Sequence, residues 1–424
     1  MNVVNSIIHV VSQVFTDTVF VITLYFLCLS FFGIYRKKDS REVKLEKSFA
    51  LIVAAHNEEA VIADMVVSLK RLDYPKELYD IFVIADNCTD KTALKARENG
   101  AIVYERFNKE KRGKGFALEW MFEKIFNLEK KYDSVVVFDA DNLADKNFLK
   151  AMNKKLCEGY KVVQGYLDSK NPKDTWITAS YSIAFWQSNR MFQLSRSNIG
   201  LSNQLGGTGF CVNTEILKQL GWGATCLTED LEFTCKLVLS GYKVGWAHDA
   251  IVYDEKPLTL MQSWWQRKRW MQGFADVSSR YFFKLLKKGI KDRDFKAIDC
   301  AIYSIQPILI VLISVSMLIS AFQYVIRAAH TLSNLSSAMA VFNLNAVALT
   351  AIVIGILQFI YTPFLLFLDR KLNVKIFLYY LIYSIYAITW LPITIQGIMD
   401  KDNKEWSHTI HTRSVDISDL EKAN

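Results

Sequence analysis

A pair of aspartates follows an apolar run in this chain of 424 residues. Asp139 and Asp141 form the "DAD" directly after "SVVVF". Residues i and i+2 of an extended chain point the same way, so this spacing presents two carboxylates on one side. Such a pair can hold a hard divalent cation, because Mg²⁺ completes its shell with phosphate oxygens and water. The alternative is a polar loop in which an aspartate caps a helix, but the strand-like run before the pair favours the metal site.

Two other motifs carry groups that would either bind a nucleotide or serve a purely structural end. Asp86 follows the apolar run "IFVIA", where its carboxylate can accept a hydrogen bond from a uracil N–H or cap the next helix. Lys111, Arg112 and Lys114 lie in "EKRGKGFALEW", a basic turn that leads into a helix. They can bind phosphate beside the helix start or form a solvated loop. The spacing of the residues alone does not decide between ligand binding and a structural role for either motif.

An acidic pair, Glu229 and Asp230, lies in "LTEDLEF" ahead of a helical stretch. A carboxylate at this place can act as a general base, or it can supply favourable charge near a helix N-terminus. Considered by itself, the pair is more typical of a helix N-terminus.

The segment "SWWQRKRWMQG" at residues 263–273 concentrates tryptophan and basic side chains. In a helix, Gln266, Arg269, Trp270 and Gly273 would share one face, while the arginine and lysine at 267 and 268 would point to its sides. The fork of an arginine binds two diphosphate oxygens at once, and an indole offers a flat surface to a sugar ring. The alternative is a membrane-interface anchor, because a basic amphipathic helix follows.

An alternation of strands and helices is needed to bring these groups together. Short apolar runs predict strands at Phe49–Ala55, 81–85, 101–104 and 134–138, with helices after the first run and at 116–128. Such alternation predicts a parallel α/β sheet, in which ligands bind at the carboxyl ends of the strands. The side chains expected at that edge are those of His56, Asn57, Glu58, Asp86 and Asp139.

Four long apolar runs outside this region predict helices in a membrane, since a helical span needs about 20 apolar residues. They lie at residues 19–35, 301–326, 346–368 and 376–399. The basic residues at 36–38 orient the first helix with its C-terminal end in the cytosol. The last run either spans the membrane or lies in the interface or re-enters. If it lies in the interface or re-enters, the tail after it remains in the cytosol.

The resulting plan is a multi-pass protein of the cell membrane with a cytosolic catalytic domain. Its parts are an N-terminal transmembrane helix at 1–36, a cytosolic α/β domain at 37–276, an amphipathic interface helix at 277–300, membrane helices at 301–399 and a cytosolic tail at 400–424. Seven cysteines without paired spacing indicate reduced thiols rather than a disulfide framework. A net charge of +8 is modest and suits a membrane surface or a phosphate-bearing substrate, and nothing else in the chain indicates nucleic-acid binding.

The order of these motifs resembles that of the family 2 membrane glycosyltransferases, which include cellulose, chitin, hyaluronan and poly-N-acetylglucosamine synthases. The shared pattern D…DxD…TED…QxxRW corresponds here to Asp86, Asp139 with Asp141, Glu229 with Asp230, and Gln266 through Arg269 to Trp270. The resemblance implies an α/β GT-A type (Rossmann-like) domain plus an α-helical transmembrane bundle. It also implies a UDP-sugar donor, Mg²⁺ or Mn²⁺, and inversion at the anomeric carbon.

The resemblance further implies roles for individual residues. The donor would be bound by Asn57, Glu58, Asp86, Lys114, Asp139, Gln266 and Arg269. The metal would be held by Asp139 and Asp141, and the catalytic pair would be Asp230, as base, with Glu229. The acceptor would meet Trp270, Gly207, Thr208 and Cys211. The tail "EWSHTIHTR" is similar to the W-x-T-R element of hyaluronan and chitin synthases, which implies a gating role for Trp406, Thr409, Thr412 and Arg413.

The function expected from the resemblance is a membrane-embedded inverting glycosyltransferase. It would transfer sugar from UDP-glucose or UDP-N-acetylglucosamine to a growing β-linked polysaccharide and export the product. The alternative is a non-processive enzyme that adds one sugar to a membrane lipid. The expected partners are the donor, a glycan or lipid acceptor, membrane lipids, and either a second subunit or a second copy of the chain, because the apolar segments form a thin bundle.

Overall fold

A mixed β-sheet of eight strands forms the centre of the molecule. The computed structural model describes residues 2–37, 41–223, 226–333, 359–403, 411, 413–415 and 417–423. The strands run in the order β3-β2-β1-β4-β7-β6-β8-β5 across the sheet. Their bounds are β1 (Phe49–Ala55), β2 (Tyr79–Asp86), β3 (Ile102–Arg106), β4 (Ser134–Asp139), β5 (Leu143–Ala144), β6 (Val162–Ser169), β7 (Phe210–Asn213) and β8 (Val244–Asp254).

The first four strands confirm the predicted parallel arrangement. Strand β1 pairs in parallel with β2 on one side and β4 on the other, so the carboxyl ends of all three lie at one edge. The prediction of a parallel sheet does not hold for two strands: β5 runs antiparallel to β8, and β7 runs antiparallel to both β4 and β6. Strand β7 has only four residues and therefore left too short an apolar run to be recognised.

Helices cover both faces of the sheet, and α1 (Asn2–Phe31) precedes them in the chain. The helices of the α/β domain are α2 (Ile62–Lys70), α3 (Thr92–Glu98), α4 (Lys114–Phe126), α5 (Phe148–Cys157), α6 (Trp176–Gln187), α7 (Ser195–Asn198), α8 (Thr214–Leu220) and α9 (Glu229–Leu239). Alternate residues of β4 face opposite layers, as the pleat requires. Val136 and Phe138 pack with α2 and α5, whereas Val135 and Val137 pack with α4, α8 and α9.

Helix α10 (Leu260–Lys291) leads from the sheet to the apolar segments and contains the QxxRW motif. It begins with a capping box. The Thr259 hydroxyl accepts from the backbone N–H of Gln262, and the side-chain oxygen of Gln262 accepts from the backbone N–H of Thr259. The helix continues without a break through the boundary predicted at 276/277. It is followed by α11 (Phe295–Ser304).

The remaining helices are largely apolar. They are α12 (Gln306–Ser333), α13 (Phe359–Leu368), α14 (Val374–Leu381), α15 (Tyr383–Ile388), α16 (Trp390–Met399) and α17 (Ile417–Ala423), of which the last is a polar tail helix. By length and composition, Val10–Phe31 within α1 is long and apolar enough to cross a membrane. Two further combinations qualify if each is counted as one span: α11 with α12, bent by 66°, and α14 with α15–α16, bent by 51°. The described residues then contain up to three spans. Most of the predicted run 346–368 lies outside the described residues.

Both ends of the last apolar segment lie beside the α/β domain. Before α14, the Lys371 ammonium is 2.7 Å from a carboxylate oxygen of Asp168 on β6. After α16, the carbonyl of Asp400 accepts a hydrogen bond of 3.0 Å from Gln272 on α10. The segment therefore leaves the domain and returns to it.

Candidate active site

A cavity of about 960 Å³ opens at the carboxyl ends of the parallel strands. It collects side chains that the sequence analysis assigned to separate motifs. Those lining it are Glu58, Asp86, Lys114, Asp139, Asp141, Glu229, Asp230, Gln266, Arg269 and Trp270, together with Gly207 and Thr208. The structure therefore brings the predicted donor, metal, base and acceptor groups into one space.

The aspartate pair after β4 is held between cationic and backbone partners. Lys114, the first residue of α4, forms an ion pair with Asp139 and also donates to the carbonyl of Gly207 at 2.7 Å. Burial by itself would lower the pKa of Lys114, but the charges of Asp139, Glu229 and Asp230 raise it overall. The carboxylate of Asp141 accepts the N–H of Glu255 at 3.0 Å.

The loop that carries this pair is fixed by the segment before β7. The hydroxyl of Thr208 and the amide oxygen of Asn142 each accept from the backbone N–H of Asp139, at 3.1 Å in both cases. Thr208 also donates to Asn142, and Gln164 donates to the Thr208 carbonyl at 2.9 Å. Thr208 thus supports the aspartate loop as well as lining the cavity.

The donor chemistry of the pair fits a divalent cation. Carboxylate oxygens are the ligands that Mg²⁺ and Mn²⁺ prefer, and two cationic side chains, Lys114 and His411, stand beside Asp139 and Asp141. Within the described part of the chain, no group of three or more His, Cys, Asp or Glu side chains is placed to hold a metal ion. That arrangement suits an ion that takes most of its ligands from phosphate and water.

Asp86, at the end of β2, has a buried partner that the sequence analysis missed. Arg106, the last residue of β3, approaches its carboxylate to 2.5 Å and also donates to the carbonyl of Lys111 at 2.7 Å. The arginine thereby links Asp86 to the basic turn before α4. Its position at a strand end beside Asp86 is visible only once β2 and β3 are paired.

Asn57 does not line the cavity, in contrast to the predicted donor contact. It adopts a positive φ of 54° in the turn after β1, and its side-chain oxygen accepts from the backbone N–H of Thr89 at 2.8 Å. The side chain is therefore used to join two loops. Its neighbour Glu58 does line the cavity.

The Glu229–Asp230 pair lies in the first turn of α9 and faces the cavity. Burial raises the pKa of Asp230 to about 6. Burial and the neighbouring Asp230 raise the pKa of Glu229 to about 7. The backbone of Gly207 lies close to Asp230, because a Cβ atom added at Gly207 would be 3.5 Å from Asp230 Oδ2. Gly207 has a positive φ of 80°. A carboxylate with a pKa near the working pH is suited to general base catalysis.

The QxxRW face of α10 lies over the same space. The Gln266 side-chain oxygen accepts from the Tyr181 hydroxyl at 2.6 Å, and the Trp270 ring lies 5.9 Å from the Tyr181 ring and 6.1 Å from that of Phe185. Burial lowers the pKa of Arg269, and the acidic groups around it oppose that change. The predicted stripe of amide, guanidinium and indole is thus directed into the cavity.

Two residues of this helix have roles that spacing did not reveal. Arg267, expected at the side of the helix, is fully buried, with its guanidinium 4.2 Å from the Tyr386 ring centre and donating to Thr389 at 2.9 Å. At Gly273, a Cβ atom would lie 2.5 Å from the Thr228 side chain. Glycine therefore allows α10 to pack directly against the start of α9.

Cys211 does not contact the cavity, and its predicted acceptor role was wrong. It lies on the interior strand β7, paired in register with Val136 and Val163. Its side chain is fully buried in the layer formed with α2 and α5. Alternation along β7 turns it into the hydrophobic core.

The tail reaches the edge of the site. Trp406, Thr409 and Thr412 lie outside the described residues. Arg413 does not line the cavity: its backbone N–H donates to Glu255 at 3.1 Å, and its guanidinium pairs with Asp174.

His411, which the sequence analysis did not single out, does line the cavity. Burial would lower the pKa of the imidazole, but Asp141 and Glu58 raise it overall to about 9.

The far end of the cavity is formed by the apolar helices. Its walls there are the side chains of Phe26, Leu309, Ile310, Ile313 and Trp390. These residues come from α1, α12 and α16, which are far apart in the sequence. The cavity therefore has a charged end at the sheet and an apolar end beside helices whose length and apolar composition would allow them to cross a membrane.

Comparisons with known proteins agree with this arrangement. The β-monoglucosyldiacylglycerol synthase of Nostoc sp. is 31% identical over 255 residues, which are 58% of this chain and 52% of that protein. The poly-β-1,6-N-acetyl-D-glucosamine synthase of Staphylococcus aureus is 27% identical over 262 residues, 60% of this chain and 61% of that one. The chain thus spans about half to three-fifths of the length of these curated relatives.

A solved structure has the same fold over most of the chain. The mannosyltransferase PcManGT from Pyrobaculum calidifontis, in complex with GDP-Man and Mn²⁺, superposes with a TM-score of 0.59 and 16% identity, covering 92% of this chain and 98% of that one. The family model described as "Glycosyltransferase like family 2" matches residues 47–273. This chain therefore belongs to glycosyltransferase family 2 and contains a GT-A type domain.

Proposed function

We propose that the protein transfers a sugar from a UDP-sugar to a hydroxyl group of a membrane lipid, with inversion at the anomeric carbon. The observation that carries this proposal is the continuity of one cavity from Asp139 and Asp141 to the aliphatic side chains of Ile310 and Ile313. A donor headed by a diphosphate fits the charged end. An acceptor with hydrocarbon chains fits the apolar end.

The donor end supports a nucleoside diphosphate. Lys114, Arg112 and Arg269 line it and can neutralise the diphosphate, while Asp86 supplies a carboxylate for the N–H of uracil. Both UDP-glucose and UDP-N-acetylglucosamine suit this arrangement. A divalent cation, Mg²⁺ or Mn²⁺, held by Asp139 and Asp141, would neutralise charge on the diphosphate when bound.

The positions of Asp230 and the basic side chains support the following proposed reaction. Asp230 removes the proton of the acceptor hydroxyl as its oxygen forms a bond to the anomeric carbon. The bond from that carbon to the diphosphate oxygen breaks, and its electron pair leaves with UDP. Arg269 and Lys114 stabilise the charge that develops there, which is usually a major part of such catalysis. General base catalysis contributes about 10²–10⁴-fold.

The acceptor end favours a lipid over a polymer. Each methylene group of an acyl chain buried against Leu309, Ile310 and Ile313 gains about 0.8 kcal/mol. Sugar hydroxyls placed there would lose water without a polar partner. Part of the polar lining nearby is engaged within the protein, because Gln193 donates to the Gln204 carbonyl and Ser314 donates to the Ile310 carbonyl, each at 2.8 Å. The Nostoc relative named a glucosyldiacylglycerol synthase has the same acceptor class.

A second candidate is the processive synthesis and export of a β-linked polysaccharide. The stripe of Gln266, Arg269 and Trp270 favours it, because the Trp270 ring with Tyr181 and Phe185 forms an aromatic surface suited to a sugar ring. The Staphylococcus relative is named a poly-β-1,6-N-acetyl-D-glucosamine synthase. Export would require a wider passage, for which a second subunit or a homodimer is proposed.

The proposed location is the cell membrane, in a multi-pass arrangement with the α/β domain in the cytosol. Three basic residues follow α1. Because the α14–α16 segment both starts and ends beside the α/β domain, we propose that it lies in the interface or re-enters, so that the tail is cytosolic. A gating role for Trp406, Thr409, Thr412 and Arg413 is part of the same proposal.

One assay separates these functions. Purified protein in detergent is incubated with diacylglycerol, Mg²⁺ or Mn²⁺, and radiolabelled UDP-glucose or UDP-N-acetylglucosamine in turn. We expect label in the chloroform-extractable fraction as a single glycolipid. Label retained in a high-molecular-weight product would instead establish the polymer, and label transferred only from other nucleotide sugars would overturn the proposed donor.

A further inference from the structure

Asp254, the last residue of β8, lines the cavity between its charged part and its aromatic part. The backbone N–H of the next residue, Glu255, donates to Asp141 at 3.0 Å, so Asp254 lies beside the aspartate pair. On the other side, the ammonium of Lys256 lies over the ring of Phe185, which belongs to the aromatic surface beside the QxxRW motif. Asp254 is therefore an acidic side chain between the candidate metal site and the surface suited to an acceptor.

The carboxylate of Asp254 is held by a buried lysine. The Lys256 Nζ atom is 2.6 Å from one carboxylate oxygen and 2.8 Å from the other, and it is 3.4 Å from the centre of the Phe185 ring. Only 2% of the Lys256 side chain is exposed, and its backbone N–H and carbonyl both bond to the side chain of Asn171, at 2.8 and 2.9 Å. A buried polar network with these partners is rigid, so the carboxylate has a fixed orientation.

This carboxylate can still bind a ligand. An ionised carboxylate offers about four acceptor positions, of which Lys256 occupies two. The Asp254 side chain is 18% exposed, and it lines the cavity. In a transfer reaction, the group that lies between the bound diphosphate and the acceptor is the sugar ring of the donor. The hydroxyl groups of that ring are the donors that a carboxylate in this place would meet.

We propose that Asp254 binds a ring hydroxyl of the sugar that is transferred, and that Lys256 is the positioning residue that holds its carboxylate. This inference rests on the proposed nucleotide-sugar donor. It makes Asp254 a determinant of donor specificity. A site built to hydrogen-bond a substrate hydroxyl rejects an analogue that lacks it, because the polar group of the protein is then left without a partner.

Binding measured without an acceptor tests the role of Asp254. Full-length protein in detergent with Mn²⁺ is titrated with UDP and, separately, with UDP-glucose. We expect Asp254→Asn to bind UDP-glucose about tenfold more weakly, because a hydrogen bond to a neutral amide is weaker than one to a carboxylate. The affinity for UDP should be unchanged. Equal losses for UDP and UDP-glucose, or no loss for either, would overturn the proposal.

The matched control is Asp249→Asn on the same strand. Asp249 is exposed and pairs with Arg36, and it does not line the cavity. Both affinities should be unchanged in this variant. Lys256→Met should resemble Asp254→Asn, with weaker binding of UDP-glucose and retained binding of UDP, because the carboxylate loses the partner that orients it. Wild-type affinities in Lys256→Met would rule out its positioning role.

Deoxy donors identify the hydroxyl. UDP-glucose analogues that lack the hydroxyl at C2, C3, C4 or C6 are titrated in turn. The wild type should bind one of them about tenfold more weakly than UDP-glucose, and Asp254→Asn should lose that discrimination because the partner of the hydroxyl is changed. The same discrimination by both proteins at all four positions would overturn the proposal.

The outcome is separable from that of the proposed function. No acceptor is present, so a polymeric product in the transfer assay does not affect these titrations. If the protein binds GDP and not UDP, the proposed donor is wrong, and the comparison of GDP-mannose with GDP decides the role of Asp254. If UDP-glucose is transferred to lipid and Asp254→Asn binds it as the wild type does, the proposed function stands and the inference fails.

Discussion

The two ends of the cavity differ in how they are built. The proposed donor end is built mainly on strand ends and the turns after them, which place Asp86, Asp139 and Asp141 at one edge of the sheet, with Arg269 added from α10. The acceptor end consists of side chains from three helices that are distant in sequence, including Phe26 and Ile313. One scaffold can serve different acceptors when the elements that build the acceptor end are separate from those that build the donor end. The relatives, named for a glycolipid and for a polymer, fit this contrast.

The largest expected effect comes from the base, at the junction of the two ends. We expect Asp230→Asn to reduce transfer by about 10²–10⁴-fold with UDP binding nearly unchanged, because only proton removal is lost. The thermal midpoint at pH 7 should rise, since burial disfavours the ionised carboxylate and the amide is neutral. Kinetics, UDP titration and thermal unfolding check these outcomes. Equal losses of transfer and UDP binding would make the residue structural.

Acid should act on the same group. Because burial raises the pKa of Asp230 to about 6, well above the ordinary range of an aspartate, the active ionised form is lost as pH falls through 6. Activity should therefore fall about tenfold per pH unit below it, with the protein still folded. A rate profile with circular dichroism at each pH is the measurement. A profile that stays flat down to pH 5 would contradict this role.

The apolar end should respond separately from the donor end. Ile313→Gln places an amide among hydrocarbon groups, which costs about 1–3 kcal/mol and should reduce transfer to lipid roughly tenfold. Hydrolysis of the UDP-sugar should be unchanged. Ile308→Gln is the matched control, because Ile308 is 45% exposed on the same helix and does not line the cavity. Parallel losses of transfer and hydrolysis would mean that the two ends are not independent.

A smaller effect is expected where α10 packs on α9. Gly273→Ala forces Thr228 and the start of α9 away, since the new Cβ would lie 2.5 Å from the Thr228 side chain. We expect kcat to fall several-fold with little change in KM for the donor. Ser279→Ala, at an exposed site on the same helix, should have no effect. An unchanged kcat would show that this packing does not position the base.

The donor end was largely predictable from sequence, and the acceptor end was not. Apolar runs followed by acids gave β1, β2 and β4 and the groups at their ends, because strand and motif are adjacent in the chain. The burial of Cys211, the stacking of Arg267 on Tyr386 and the place of His411 depend on contacts between distant segments. No local pattern carries such contacts. Strand β7 was missed for a different reason, because its four residues leave too short an apolar run.

Transfer to a membrane lipid requires first of all that the lipid acceptor enter through the apolar end of the cavity. A photoreactive benzoylphenylalanine at position 313 should form an adduct with radiolabelled diacylglycerol that saturates and is displaced by unlabelled lipid. The same group at position 308 should give only a weak, unsaturable adduct. A lack of any saturable lipid adduct at 313, or an adduct there with a growing glycan, would contradict the account.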